Sequence, residues 1–276
     1  MALKWKRIGY AAAAVGAGIV ARAAADRTFT HYPSVYYQMR LPRLIAEFEN
    51  AIDAARPLML EKFGSAKAAE FRNEARAEFR VIIPQFPFIG FSSPWVFSLT
   101  SAGWLLAMYR VLKRRGYLLE EIGELFLDFT KVYVQRIPAP ARQMVGQLWF
   151  SPVFRWGVQS EAKKSQSRRY PGNWEFNLVP SDGKTFDFGI DCTECAIVKF
   201  LKAQDAIELA PYICAIDRVF SEGFGWGLIR THTIGEGAVY CDFRFKKGAQ
   251  TQVASTVMPA DAPRHPLNLH PELFED

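Results

Sequence analysis

Between Pro42 and Phe63, apolar side chains fall at Leu44, Phe48, Ile52, Ala55 and Met59, a three- to four-residue spacing that lays one stripe along a helix. Pro57 inside that run predicts a kink or an early end, and Gly64-Ser65 predicts a stop followed by an N-cap. A second, charged helix, AKAAEFRNEARAEFR, is expected to reach about Arg80. Val81 to Tyr109 then carry no charge, but Pro84, Pro87 and Pro94 interrupt the first half. A break facing lipid would leave backbone groups without partners. The run therefore reads as a buried aromatic loop, PQFPFIGFSSPWVF, leading into a core helix from about Leu99 to Arg114. The competing reading is a membrane-surface patch of Phe86, Phe88, Phe91, Trp95 and Phe97. An amphipathic helix from Tyr117 to Gln135 follows, striped by Leu118, Ile122, Leu125, Phe126, Phe129 and Tyr133. IPAPAR breaks it, and further helix is expected from about Ala141 into the 160s.

At Tyr170 the period changes from helical to alternating. Trp174, Phe176 and Leu178 alternate, SDGK makes a turn, and Phe186, Phe188 and Ile190 alternate again, which reads as a β-hairpin. Helices at about 192–202 and 211–222 come next. A second hairpin is built from WGLIRTHTI, the turn GEG, and AVYCDFRFK. The order implies an α+β fold, an antiparallel sheet of two hairpins packed against several helices. Four regions are expected: an N-terminal hydrophobic segment at 1–30, a helical extension with the aromatic loop at 31–98, the α+β domain at 99–247, and a proline-bearing tail at 248–276.

Composition adds two constraints. Half of the 276 residues are hydrophobic and 14% are aromatic, enough for a sizeable core. The net charge is +6, of which residues 1–30 hold +4, so the pI near 9 describes no nucleic-acid-binding face, and no nucleic-acid partner is expected. The basic run KKSQSRR, Lys163 to Arg169, reads as a solvated helix end or an anion site. MALKWKR followed by the uncharged Ile8 to Ala21 is signal-like or anchor-like. Three readings stand: an uncleaved anchor, a cleaved signal, or an Ala-rich packing helix of a soluble protein. The anchor reading implies membrane contact through 8–21 and a membrane-associated protein at an inner membrane, otherwise cytoplasmic. Lys4, Lys6 and Arg7 favour a cytoplasmic N-terminus, while Arg22 and Arg27 blur the sidedness.

Candidate chemistry gathers in the last third of the chain. Cys192 and Cys195 form a C-x-x-C, while Cys214 and Cys241 stand singly, which is poor spacing for structural zinc. The four histidines show no ligand spacing. The C-x-x-C follows an antiparallel hairpin rather than the first strand of a βαβ unit, so it does not match a thioredoxin-like redox pair. Placed at a helix start, Cys192 and Cys195 meet free N–H groups that lower a thiol pKa, although Asp191 opposes this. Small apolar packing is the bland alternative. In VYCDFRFK, Tyr240, Asp242 and Arg244 share a face, and Arg230 on the preceding strand is expected to reach it. That set reads as a carboxylate clamp beside an acid or base, or as a cross-strand salt ladder. Glu236 reads as a turn residue or as a carboxylate over a pocket mouth. Asp217 lies one turn beyond Cys214.

The ECA around Cys195, YICAID, and RTHTIGEGAVYCDFRF together resemble the L-2-amino-thiazoline-4-carboxylic acid hydrolase family, over about Leu99 to Lys247. The resemblance implies a ring-opening hydrolase for a cyclic amidine or thioamidine such as a 2-amino-thiazoline carboxylate. It implies catalytic roles for Glu194, Cys195, Asp217 and Asp242, and substrate-binding roles for Arg230, Thr233, Glu236 and Arg244. The partner implied is a small-molecule carboxylate substrate. The cofactor is left open, and a divalent metal ion would suit a carboxylate-rich site. The plan is also similar to ligand-binding domains of the 4-vinyl-reductase type. The alternative function is therefore a membrane-tethered, non-catalytic ligand-binding or complex-assembly protein.

Overall fold

The computed structural model describes residues 21–91 and 93–257; the expected N-terminal segment at 8–21 lies outside them save for Ala21. Residues 21–31 are helical (α1), followed by α2 (Pro33–Met39), α3 (Leu41–Ala54) and α4 (Arg56–Ile82). The stop expected near Pro57 falls at Ala54, with Pro57 in the first turn of α4, where a missing N–H costs nothing. Gly64 breaks α4 with φ 72°, a left-handed conformation that glycine adopts without a Cβ penalty.

α5 (Val96–Arg114) is buried on nearly every side and forms the centre of the helical layer. α6 (Leu119–Gln135) buries Ile122, Leu125, Phe126, Phe129 and Val132 against that centre. The aromatic loop is interior rather than a surface patch. Phe86 and Phe88 are buried, and of the five aromatics only Phe97 is exposed. Among the described residues no helix is long and apolar enough to cross a membrane, so the transmembrane expectation finds no support there.

The helix expected after Ala141 is two helices, α7 (Ala139–Trp149) and α8 (Pro152–Ser165), because Ser151 and Pro152 restart the chain with an N-cap. The sheet has order β1-β2-β4-β3-β5, with β1 (Glu175–Pro180), β2 (Phe188–Glu194), β3 (Leu228–Arg230), β4 (Cys241–Phe245) and β5 (Gln252–Val253). All pairings are antiparallel except β3 with β5, so the sheet is mostly antiparallel and the fold is α+β.

Three details differ from the expectation. β2 runs through Cys192 to Glu194, and α9 (Ala196–Ala203) starts only afterwards, because Cys192 packs inward opposite Cys241. The second hairpin is cut short: β3 holds three residues, and residues 231–240 form a loop with one 3-10 turn. The tail from 248 contributes β5 before it leaves the described residues. α8 and α10 (Ala210–Phe224) lie on the sheet side that carries Phe176, Cys192, Cys241 and Phe245. Trp95 and Trp174 pack against both the helical core and this smaller sheet core.

Candidate functional site

Strand alternation sorts the charged side chains of the sheet. Cys192 lies opposite Cys241, Asp191 opposite Asp242, and Gly189 opposite Arg244. Cys241, Phe243 and Phe245 therefore face the helices, while Asp242 and Arg244 face away. On β3, Ile229 lies opposite Arg244, so Arg230 returns to the inner face. The shared face expected for Arg230, Asp242 and Arg244 is thus corrected: a one-residue step puts Arg230 on the other side.

On that inner side Arg230 is 1% exposed. Its guanidinium lies over the Phe243 ring at 5.7 Å, and Nη1 donates to the Cys214 carbonyl at 2.9 Å and to the Asp217 carboxylate. Its Nε and Nη2 are buried and reach no partner among the described residues. These two N–H groups form one edge of the guanidinium, the fork that grips a carboxylate bidentately. Arg72 uses the same two atoms on Asp53, at 3.0 and 3.1 Å.

Thiols surround the pair. Cys195 is the N-cap residue of α9, in extended backbone, and Cys214 precedes Asp217 by one turn of α10. Burial pushes Cys195 up to about 11, against the opposing pull of the Val198 and Ile197 backbone N–H groups. The helix start is therefore felt at Cys195, as expected, but burial outweighs it and the group is a thiol at neutral pH. Burial likewise raises Cys214. A thiol hydrogen bond links Cys192 to Cys241, raising the first and lowering the second, and the Ile234 N–H also donates to Cys241 Sγ at 3.2 Å. All four cysteines are free.

Burial also raises the Asp217 carboxyl, outweighing the attraction of Arg230. Yet the Asp217 side chain keeps 38% of its surface, and Cys195 and Cys214 are only partly covered. These groups therefore remain partly accessible beside the buried arginine, whereas the two cavities of the fold, among the described residues, lie elsewhere, around Asp26, Tyr170 and Asn173. Cys195 and Cys214 both lie within the electrostatic influence of Asp217 and Cys241. The cluster therefore combines thiols, a carboxylate of raised pKa, and a buried arginine.

The remaining expected residues lie elsewhere or act as supports. Glu194 pairs with Lys199 on the surface. Asp242 accepts from the Thr231 and His232 backbone N–H groups at 2.9 Å and from the Thr231 hydroxyl at 2.6 Å. Burial would raise its pKa, but these bonds prevail and lower it. Arg244 pairs with Asp191 at 2.7 Å, a cross-strand pair on the outer face. Thr233 is fully buried and caps the 3-10 turn. Glu236 accepts from Thr233 and from the Thr256 N–H and hydroxyl; these bonds overcome burial and lower its pKa. Thr233 and Glu236 fix the 231–240 loop, in which a Cβ added at Gly235 would sit 2.7 Å from Cys214 Sγ. That loop roofs the thiol.

Arg230 thus gathers Cys195 and Asp217, together with Cys214, Cys241 and Phe243, three positions outside the expected site set. Their sequence signal is the spacing Cys214-x-x-Asp217 and the inward parity of Cys241 and Phe243. Among the described residues, no group of three or more His, Cys, Asp or Glu side chains has the spacing to hold a metal ion. The carboxylate-rich site that would suit a divalent ion is not formed by these residues. A family model described as L-2-amino-thiazoline-4-carboxylic acid hydrolase matches residues 98–245, just over half of the chain, and includes every residue of this cluster. No curated protein and no solved structure matches the chain.

Proposed function

The chain belongs to the L-2-amino-thiazoline-4-carboxylic acid hydrolase family, and from that premise we propose that it opens a cyclic amidine or thioamidine bearing a carboxylate, at the cluster of Arg230 and Asp217. The observation that carries this reading is the unclaimed Nε and Nη2 edge of a fully buried Arg230. A buried donor without a partner costs about 1–3 kcal/mol, and a ligand carboxylate removes that cost at both donors at once.

For a 2-amino-thiazoline-4-carboxylate, the substrate carboxylate takes this edge. Asp217 accepts a proton from water as the water oxygen adds to the ring carbon between nitrogen and sulfur. The hydroxyl proton moves to the ring nitrogen as the carbonyl forms, the C–S bond breaks, and the proton held by Asp217 goes to the leaving sulfur. The product is a carbamoyl-cysteine, and one water is consumed. A raised carboxyl pKa suits this double duty, since a stronger base still releases its proton readily to a thiolate of pKa about 8.5. Cys195, a thiol at neutral pH, serves as a polar neighbour of the reaction rather than as the nucleophile.

Thiol release from 2-amino-thiazoline-4-carboxylate by purified protein tests the reading. Asp217→Asn should lower kcat at least about 100-fold, Arg230→Lys should act mainly on KM, and Cys195→Ser should cost less than about tenfold. The acid limb of kcat/KM should lie above the usual aspartate value of about 3.9, because ionised Asp217 is required and its pKa is raised. Equal turnover by all three variants and wild type would reject the site.

A further inference from the structure

β2 and β4 bring two thiols face to face. Cys192 lies directly opposite Cys241, in an antiparallel register that runs without a shift from the Phe188 and Phe245 pair. Both side chains point to the inner face and both are buried. Directly opposed residues of an antiparallel pair stand about 4.5–5.5 Å apart at Cα. A disulfide spans about 4.4–6.8 Å, so the two sulfurs can be joined without moving either strand. β2 is an interior strand, flanked by β1 and β4, which fixes Cys192 in place. The thiols already meet through a hydrogen bond, and the Glu194 carbonyl, 3.1 Å from Cys192 Sγ, is a second acceptor for the Cys192 proton. The other two cysteines are engaged differently. The Cys195 sulfur feels the Val198 and Ile197 N–H groups at the start of α9, and Cys214 faces Gly235 in the loop above it.

The surroundings of Cys241 are those of a reacting sulfur rather than a space-filling one. Two donors converge on it, the Cys192 thiol and the Ile234 N–H at 3.2 Å. Small apolar packing needs neither bond. Paired donors favour the thiolate, the form that attacks an oxidant. Cys195 and Cys214, by contrast, are held as thiols by burial. We infer that Cys192 and Cys241 are an oxidation site that closes to a cross-strand disulfide when a hydroperoxide reaches it. With hydrogen peroxide, the Cys241 thiolate attacks one oxygen. The O–O bond breaks, an S–OH group forms, and the second oxygen takes up a proton and leaves as water. The Cys192 sulfur then attacks Cys241 Sγ and releases its proton, and the hydroxyl group departs as a second water. Two thiols thus give up two electrons and two protons, and the peroxide is reduced to water. Both sulfurs are buried, but Cys195 and Cys214 within their electrostatic reach keep accessible surface, which selects an oxidant little larger than water. The bond closes residues 192–241 into a loop that holds α9, α10 and β3, and so Arg230 and Asp217, by both ends. It consumes none of the groups given a role in the reaction proposed above and stands independently of it.

Peptide mapping of the full chain tests it. Native protein is treated with hydrogen peroxide, its remaining thiols are alkylated in denaturant, and it is digested with trypsin without reductant. Peptide 185–199, which holds Cys192 and Cys195, should be joined to peptide 231–244, which holds Cys241, and the join should disappear with dithiothreitol. Cys195→Ser and Cys214→Ser should still form the link at wild-type yield, and Cys192→Ser should not. Oxidised wild type should melt several degrees above the reduced protein, because cross-linking a long loop restricts the unfolded chain, and Cys195→Ser should show the same rise. All four thiols recovered alkylated after peroxide would mean packing alone and would overturn the inference. A link through Cys195 or Cys214, a Cys241 sulfinic acid in place of the link, or a melting temperature that does not rise would overturn it too.

Discussion

The sheet carries an arginine–aspartate pair on each side, and the two differ in almost everything but composition. Arg230 with Asp217 lies under the helices, where the arginine has no exposed side-chain surface. Arg244 with Asp191 lies on the outer face, where the side chains keep 21% and 32%. Outside, each charge is partly hydrated and the pair mainly ties β4 to β2. Inside, the arginine is held by one nitrogen and leaves two donors unmatched. A surface pair is largely self-sufficient, whereas the buried pair is chemically incomplete, which is what a binding site requires.

The largest effect should come from breaking the inner pair. Arg230→Met leaves the Asp217 carboxylate uncompensated and should cost about 3 kcal/mol in urea unfolding, whereas Arg230→Met/Asp217→Leu should regain most of it. If the single and double variants are equally unstable, the pair is not the feature that sets the inner face apart. Next, Gly235→Ala pushes a methyl group toward Cys214 Sγ and should cost about 2 kcal/mol, read as a lower midpoint at unchanged m-value. Asp242→Asn weakens the charge-assisted bonds to Thr231 and His232 and should cost about 1.5 kcal/mol at neutral pH. Its folded pKa is lowered, so the native carboxylate contributes fully above the usual value of about 3.9 and loses that contribution as pH falls through the folded pKa. The wild-type and Asn curves should therefore converge in acid, as a pH series of unfolding midpoints will register. Smallest of all, Arg244→Ala should change stability by no more than about 1 kcal/mol, with a difference that shrinks in high salt.

Much of this layout was legible in the sequence. The alternation in AVYCDFRFK correctly separated Cys241 and Phe243 from Asp242 and Arg244, because period two leaves no choice once one face is apolar. Arg230 was harder to read. It shares parity with Trp226 and Leu228, which marks it as inward, but an inward arginine contradicts the usual cost of burying charge. Only its partner on α10, thirteen residues earlier, resolves that conflict. Cys192 was misjudged for a related reason. DCTECAIVKF begins like a helix start, yet the inward position opposite Cys241, a contact across the sheet, extends β2 to Glu194. The raised pKa of Cys195 was hidden as well, since burial by distant elements leaves no local trace in a sequence.

The edge strand β5 has a mechanical consequence. Ala254 N–H bonds the Arg230 carbonyl at 2.9 Å, and Thr256 clasps Glu236 in the loop over Cys214. The last described residues are thus a latch on the loop over Cys214. Proteolytic nicking at about residue 250 would leave the helical layer standing while unfastening that loop, so susceptibility to a protease at this one point gauges how firmly the loop is held over Cys214.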